Sequence, residues 1–420
     1  MVATAGPLPF MVFWLLLLFG LILSPGADSR ALAADNDHHD NLVHTLANIT
    51  KLIKGGLDHS CDISACDIDQ DLCHNDDNEG GDDYDDECDE DNLDDCPPEQ
   101  VDTTDTTAGG RRQYSVNLQS GFRVDFQAMP YPTVGKVLKK AKNGNDMTWP
   151  FALQPEDLKD CTNTAVVGYQ ILSSSPPALT VTEHILELQS ISMWMTMVTD
   201  GKLARVDDAC FSDFWTKPSL PSNVPKMESG TFKTSTVPND RVFEALGSFR
   251  NRGVFLIADY QVNAVKTRIW SGSAIFHEDK VAELLDNAAR SDEDAGKALG
   301  MIILPVLVFD YLNNIWTRER LWQAINGVAE QLQLIENNIP QCSGVAASWN
   351  LFIPSQLNDI TSDTKDWIVD TSKSMILKVK GAADKDPNDA VLQARYDAVK
   401  YIIKSLLHDV GEKLIPPGSP

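Results

Sequence analysis

Three aspartates at alternate positions, Asp67, Asp69 and Asp71, have a type and a spacing that could support chemistry. Carboxylates at positions one, three and five begin a calcium-binding loop of the EF-hand type. Such a loop needs Gly at position six and Glu at position twelve, but the chain has Leu72 and Asn78 there. We therefore expect no specific metal site. A solvated polyanionic spacer is the default interpretation of the acidic run, and weak calcium binding by the run as a whole is the alternative.

The same segment, residues 64–71, approximates the Asp-x-x-Asp-x-Asp-x-Glu signature of family 18 chitinases. Ser64 stands at its first position, and Asp71 stands where that family has its proton-donating Glu. A carboxyl group displaced by one methylene lowers the rate of glycoside cleavage by roughly 100-fold. The signature also belongs on the fourth strand of a barrel of about 250 residues, and far fewer residues precede it here. The segment is therefore not expected to be catalytic.

No other enzyme motif stands out. The sequence contains no Gly-rich phosphate loop, no Gly-x-Ser-x-Gly elbow and no His-Glu-x-x-His pair. His184 follows Glu183 and is expected to be a surface or helix-capping residue rather than a general base. We predict no catalytic residue and no cofactor, so an enzyme is the less favoured class. Most of the tryptophans after residue 148 are expected to pack in the core: Trp149, Trp194, Trp215, Trp270, Trp316, Trp322, Trp349 and Trp367.

The negative charge is concentrated in one part of the chain. The net charge is -26, and residues 35–112 carry 24 acidic against four basic side chains. Residues 113–420 carry 36 acidic and 30 basic side chains. Neither part has the basic surface of a nucleic-acid-binding protein, so nucleic acid is excluded as a partner.

A dibasic pair, Arg111-Arg112, divides the cysteines into two odd sets and is a candidate processing site in a secreted protein. Two exposed arginines in a linker are the alternative interpretation. If all eight cysteines pair, at least one disulfide must cross Arg112. The disulfide candidates are Cys61, Cys66, Cys73, Cys88 and Cys96 before the pair, and Cys161, Cys210 and Cys342 after it.

The N-terminus predicts export. An apolar run over residues 8–23 is followed by small residues, as in a secretory signal peptide, and we expect the leader to span residues 1–33. A retained signal anchor is the alternative. The predicted location is therefore extracellular, where disulfides form. The triplet at Asn48 is a candidate N-glycosylation site, although it lies in a predicted amphipathic helix rather than in a loop.

The rest of the chain divides by composition into three parts. Residues 34–112 form an acidic, cysteine-containing, pro-like segment; 13 of the 20 residues over 76–95 are acidic, which predicts disorder. Residues 113–179 form a small mixed segment, with short strands expected around 116–118, 122–126 and 165–172. Residues 180–412 form a helical domain.

The helical domain is predicted from periodicity. A capping-box pattern at Thr180 and Glu183 favours a helix start there. Apolar stripes run over 255–269, 321–339 and 392–410, and the apolar run over 298–309 contains Pro305 and is too short to span a bilayer. The fold class is therefore mainly α, a helical bundle preceded by a small β-containing segment.

The chain resembles, in five blocks, the region that follows the catalytic barrel in fungal killer-toxin-like chitinases of family 18. The blocks are residues 181–189, 214–215, 241–248, 251–252 and 262–270. The spacing of Cys61, Cys66 and Cys73 is similar to a short cysteine segment upstream of that region. The barrel itself is missing, together with lysin-motif repeats and a hevein-like pattern. The resemblance therefore implies a free-standing accessory region from a filamentous fungus, without chitin cleavage or chitin binding at named residues.

The favoured function is a secreted, non-catalytic protein that contacts an extracellular protein or a cell-wall or cell-surface component, in the manner of a toxin or effector. Two alternatives remain open. One is a carbohydrate-active enzyme or chitin-associated accessory protein, and the other is a membrane-active toxin.

Overall fold

The computed structural model describes residues 112–135, 137–138, 151–157, 159–171, 179–203, 205–225 and 235–418. All of them belong to one unit of the chain, Asp58–Pro420. The predicted leader, Asn48, the three aspartates, Ser64, the five N-terminal cysteines and Arg111 lie outside the described residues.

Two short sheets begin the described part of the chain. Strands β1 (Gln113–Asn117) and β2 (Arg123–Gln127) pair as an antiparallel hairpin. The second sheet contains β3 (Phe151–Pro155), β4 (Val166–Gln170), β5 (Thr180–His184) and β6 (Phe255–Asp259), in the order β4-β3-β6-β5. Strands β3 and β6 are parallel, and the other two pairings are antiparallel. The strands expected near 116, 124 and 168 are therefore confirmed.

Helices make up most of the remainder, which confirms the mainly α prediction. They are α1 (Ser190–Thr199), α2 (Pro238–Leu246), α3 (Tyr260–Ser271), α4 (Glu278–Asn287), α5 (Asp292–Asn313), α6 (Ile315–Asn338), α7 (Val345–Lys385) and α8 (Ala390–Lys413). A π-helical turn spans Cys210–Phe214 and a 3-10 turn spans Pro340–Cys342.

Local sequence explains where several helices start. The Asp259 side chain accepts hydrogen bonds from the backbone N–H groups of Gln261 and Val262 at the start of α3, and Asp389 caps α8 in the same way. Ser291 caps α5. The predicted stripe over 321–339 lies on the buried face of α6 and the residue that follows it.

Helix α5 is the centre of the bundle, and α3, α4, α6, α7 and α8 all pack against it. Among the described residues it is the one helix long and apolar enough to cross a membrane, and 89% of its apolar window is buried inside the fold. The expectation of a buried helix around Pro305 is therefore confirmed, since Pro305 lies inside α5 among buried neighbours, but the helix extends beyond the apolar run over 298–309 and reaches 22 residues.

The helix start predicted at Thr180 is wrong. Residues Thr180–His184 form β5, which pairs antiparallel with β6, and the first helix after it begins at Ser190. Phe255, assigned to a helical stripe, lies in β6. Both errors have one cause: β5 and β6 are defined by pairing with each other across about 75 residues, which local periodicity does not contain. The sheet consequently joins strands on both sides of residue 179.

Candidate functional site

Lys266, on α3, is fully buried and lies between two glutamates from the end of β5 and the turn after it. Its Nζ atom forms an ion pair with Glu183 and another, at 2.8 Å, with Oε1 of Glu187. It also donates hydrogen bonds to the carbonyl oxygens of His184 at 3.0 Å and Ile185 at 3.2 Å. We call Glu183, Glu187 and Lys266 the Lys266 cluster. Four acceptors thus surround one ammonium group.

Neighbouring contacts hold the two chain segments of the cluster together. Thr267 donates its hydroxyl hydrogen to Oε1 of Glu187 at 2.9 Å, and the Gln189 side chain donates to the carbonyl oxygen of Thr267 at 3.1 Å. One turn further along α3, the Trp270 indole N–H donates to the Ser190 hydroxyl at 2.8 Å. The turn before α1 is therefore fixed to α3 by side chains from both sides.

The charge balance of the cluster follows from burial and from its two carboxylates. Burial raises the pKa of Glu183 to about 7, because the Lys266 cation offsets only part of the desolvation cost and Glu187 adds repulsion. For Lys266, burial alone lowers the pKa, but attraction to Glu183 and Glu187 outweighs it, so the net shift is upward. Lys266 is therefore a cation and not a nucleophile at neutral pH.

His184 is buried at the end of β5 and does not serve as a surface or capping residue, so that expectation is wrong. Its ring packs edge-on against Tyr131, with centroids 4.3 Å apart, and against Phe255, at 4.6 Å. Burial, followed by the positive charge of Arg112, lowers its pKa to about 3. His184 is therefore a neutral imidazole packed against two aromatic rings.

Two tyrosines lie near the cluster and stay protonated at neutral pH. Burial, followed by the charge of Glu183, raises the pKa of Tyr311 on α5 well above its usual value. Burial also raises the pKa of Tyr114 on β1 to about 12, although the nearby Arg112 opposes the shift. The Lys266 cluster therefore lies where the hairpin, the four-stranded sheet and the central helix approach one another.

A second buried polar group closes the end of α2. Asn251 donates from its side-chain amide to the carbonyl oxygen of Glu244 at 2.8 Å, and the Ser248 hydroxyl accepts the backbone N–H of Asn251 at 3.1 Å. Gly247 has φ +128°, and a Cβ atom there would lie 2.5 Å from the Phe255 ring. Burial raises the pKa of Glu244 to about 7. Block 241–251 thus has a packing role at a helix end.

The chemistry that these groups can perform is limited by their enclosure. Relative exposure is 3% for Glu183, 7% for Glu187 and 0% for Lys266. Within the part of the chain that the structure describes, no group of three or more His, Cys, Asp or Glu side chains is arranged to hold a metal ion. The Lys266 cluster can therefore fix the turn between β5 and α1, and it offers no open position to a ligand.

The structure places the other predicted residues as follows. Cys210 and Cys342 form a disulfide with an S–S distance of 2.07 Å, and Cys161 is also disulfide-bonded. Arg112 is exposed and directly precedes β1. The expected core packing holds for Trp194, Trp215, Trp270 and Trp349, which are fully buried. Trp316 differs, with 44% exposure.

Trp316 belongs to an exposed apolar surface where the C-terminal tail meets the start of α6. Ile315 is 57% exposed and Ile415 is 50% exposed. The side-chain amide of Asn313 donates to the Ile415 carbonyl oxygen at 3.1 Å, which places the two chain segments side by side. We call Ile315, Trp316 and Ile415 the apolar corner.

Hydrogen bonds hold in place the chain segments that carry the apolar corner. The Trp322 indole N–H donates to the Pro417 carbonyl oxygen at 3.2 Å, and Asn313 also donates to the carbonyl oxygen of Lys413 at 3.2 Å. The first bond holds the C-terminal tail against α6, and the second holds the end of α8 against the end of α5. The exposed side chains are therefore presented on a hydrogen-bonded support rather than on a free end.

The Lys266 cluster is not predicted by the sequence analysis, although one feature of the sequence indicates it. Lys266 interrupts an apolar stripe directly after Val265, and a cation at such a position on a buried helix face needs anionic partners. Glu183 and Glu187, four residues apart, were available as partners. The capping-box interpretation uses Glu183 and therefore gives Lys266 no partner.

No family model, no curated protein and no solved structure matches this chain. The resemblance to the region after the barrel of killer-toxin-like chitinases therefore stays a prediction.

Proposed function

We propose that this chain is a secreted, non-catalytic protein, related to the accessory region of killer-toxin-like chitinases, that acts by contact with a protein or a cell-surface component outside the cell. One observation carries the proposal: ionisable side chains that the fold gathers are buried, whereas the apolar corner is open to solvent.

The burial of the ionisable side chains argues against an enzyme. Lys266 is a fully enclosed cation with four acceptors, and His184 is neutral and packed between aromatic rings. A catalytic group must reach its substrate within hydrogen-bond distance. Neither side chain can do so in this fold, so both are assigned to stability.

The exposure of the apolar corner supports a role in binding. Tryptophan is enriched among the residues that contribute most to protein–protein affinity, and aliphatic neighbours around it exclude water. The apolar corner contains an exposed tryptophan and two exposed isoleucines and so has this composition, and the support described above limits the entropy lost on binding. The apolar corner is therefore the contact surface that we assign.

The experiment uses the full chain, secreted from a eukaryotic host, labelled with a fluorophore and titrated onto intact fungal cells and onto an isolated wall fraction. Trp316→Ala should weaken saturable binding about tenfold, since a buried interface tryptophan contributes more than about 1.4 kcal/mol. Leu377→Ala, on α7 with 68% exposure, is the matched control and should bind like the wild type. Equal loss in both variants, or no saturable binding, contradicts the proposal.

The enzyme alternative is tested on the same preparation with a chitin oligomer as substrate. The proposal requires no turnover. Turnover that disappears in Asp71→Asn would restore the acidic signature as a catalytic site and would contradict the non-catalytic assignment.

A membrane-active toxin is the second candidate, and helix α5 is the observation that favours it. This helix has the length and apolarity to cross a bilayer, but it would have to leave the core to do so. Dye release from lipid vesicles at micromolar protein supports this candidate. Intact vesicles together with saturable cell binding support the first proposal.

A further inference from the structure

The three described cysteines divide into a closed pair and one residue whose partner lies elsewhere. Cys210, in the π-helical turn, is bonded to Cys342, in the 3-10 turn before α7, and both are 1% exposed or less. Cys161 is also disulfide-bonded. Because Cys210 and Cys342 are bonded to each other, neither of them can be the partner of Cys161.

We infer that Cys161 is joined to one of the five cysteines that precede Arg112, so that cleavage at the dibasic pair yields two disulfide-linked chains instead of releasing the acidic segment. The chain has eight cysteines, and the candidate partners are Cys61, Cys66, Cys73, Cys88 and Cys96.

The surroundings of Cys161 suit a bond to a segment outside the core. It lies in the connection between β3 and β4, and its neighbours Lys159, Asp160 and Thr162 are exposed. The Asp160 carboxylate accepts the Thr162 backbone N–H at 2.8 Å and orders this connection. Cys161 itself is 8% exposed. The chain on both sides of Cys161 is therefore open to a partner, although the side chain itself belongs to the hydrophobic core.

Arg112, the second residue of the dibasic pair, lies at the edge of the hairpin. The Arg112 carbonyl oxygen accepts the Ala128 backbone N–H at 2.9 Å, and the next residue, Gln113, is the first of β1 and pairs with Gln127. Hydrolysis of the Arg112–Gln113 bond adds one water molecule and alters no disulfide. The body from Gln113 onward keeps its sheets and helices.

Burial further predicts the order in which the two disulfides are reduced. A thiol reductant attacks one sulfur, forms a mixed disulfide and then completes a two-electron reduction to two thiols. Access decides the rate of the first attack, and Cys161, 8% exposed between exposed neighbours, is more accessible than Cys210 and Cys342, which are 0% and 1% exposed. After cleavage at the dibasic pair, a mild thiol should therefore release the acidic segment and leave the Cys210–Cys342 bond intact.

Non-reducing peptide mapping of the full secreted chain tests the connectivity directly. The expected result is a disulfide-linked peptide pair with Cys161 on one side and a cysteine from residues 61–96 on the other. An alkylated Cys161 thiol before reduction, or a link from Cys161 to Cys210 or Cys342, overturns the inference.

Limited digestion with a dibasic-specific protease tests the two-chain form. We expect one band on a non-reducing gel and two bands after complete reduction, with Arg111→Ala/Arg112→Ala remaining a single chain in both. In a graded thiol titration, maleimide should label Cys161 before Cys210. Two bands without reductant would contradict the disulfide link between the two chains. Simultaneous labelling of both cysteines would contradict the order of reduction. These readouts are independent of cell binding, so this inference can fail while the proposed function holds.

Discussion

Replacement of Lys266 by methionine should be among the most destabilising single changes in the described residues. The substitution preserves most of the side-chain volume but leaves two buried carboxylates, Glu183 and Glu187, without their cation. It also removes the donor from the carbonyl oxygens of His184 and Ile185. Removing one partner of a buried ion pair costs about 3–5 kcal/mol, a large part of a typical folding free energy.

The assay is urea denaturation of the full chain, followed by the fluorescence of its buried tryptophans. Lys280→Met is the matched control, because Lys280 pairs with the exposed Glu283 and its loss should cost less than about 1 kcal/mol. The triple variant Lys266→Met/Glu183→Gln/Glu187→Gln should regain much of the lost stability, since it contains no unpaired buried charge. Equal effects of Lys266→Met and Lys280→Met would refute the assignment of a buried, charged cluster.

Three further outcomes follow from burial, backbone geometry and the disulfide. Burial raises the pKa of Glu183 from 4.5 to about 7. Between pH 4.5 and pH 7 the folded state therefore keeps a proton on Glu183 that the unfolded state has lost. The contribution of Glu183 to the free energy of unfolding consequently falls as the pH rises through this window. The difference in that free energy between Glu183→Gln and wild type should thus increase over this window, by up to about 1.4 kcal/mol per pH unit; a flat difference in pH-dependent denaturation contradicts this. Gly247→Ala should lower the free energy of unfolding by about 3 kcal/mol, because Gly247 has a φ of +128° and an added Cβ atom would overlap an aromatic ring. Gly272→Ala, at φ +67° with open space around it, should lower it by about 1 kcal/mol. Similar values for the two variants in thermal unfolding would contradict the steric argument. Cys210→Ala/Cys342→Ala should cost about 3–5 kcal/mol in the urea assay, since the bond joins residues 132 apart, and an unchanged midpoint would contradict that.

Periodicity predicted the helical part of this protein well where the pattern is local. The apolar stripe on α6 and the apolar run around Pro305 both correspond to helices in the structure, with the predicted face buried. Such patterns are sufficient because each helical hydrogen bond joins residues only four positions apart. The caps at Asp259 and Asp389 are equally local, since a side chain bonds backbone groups two or three residues further on.

Strands β5 and β6 and the Lys266 cluster were not predictable in this way. Glu183 at the end of β5 satisfies a helix-capping pattern, but its side chain is bound by a lysine 83 positions later. Only the pairing of β5 with β6, and of α3 with the turn after β5, brings these groups together.

Composition and spacing by themselves determined that this chain is mainly helical, that its acidity lies before Arg112 and that its cysteines divide into odd sets of five and three. Tertiary structure alone decided which charged groups are enclosed and that Trp316 is exposed. It also paired Cys210 with Cys342, which leaves Cys161 to a distant partner. The physical reason is separation along the chain: helix periodicity and charge are properties of neighbouring residues, whereas burial, ion pairing and disulfide pairing depend on residues that only the complete fold brings into contact.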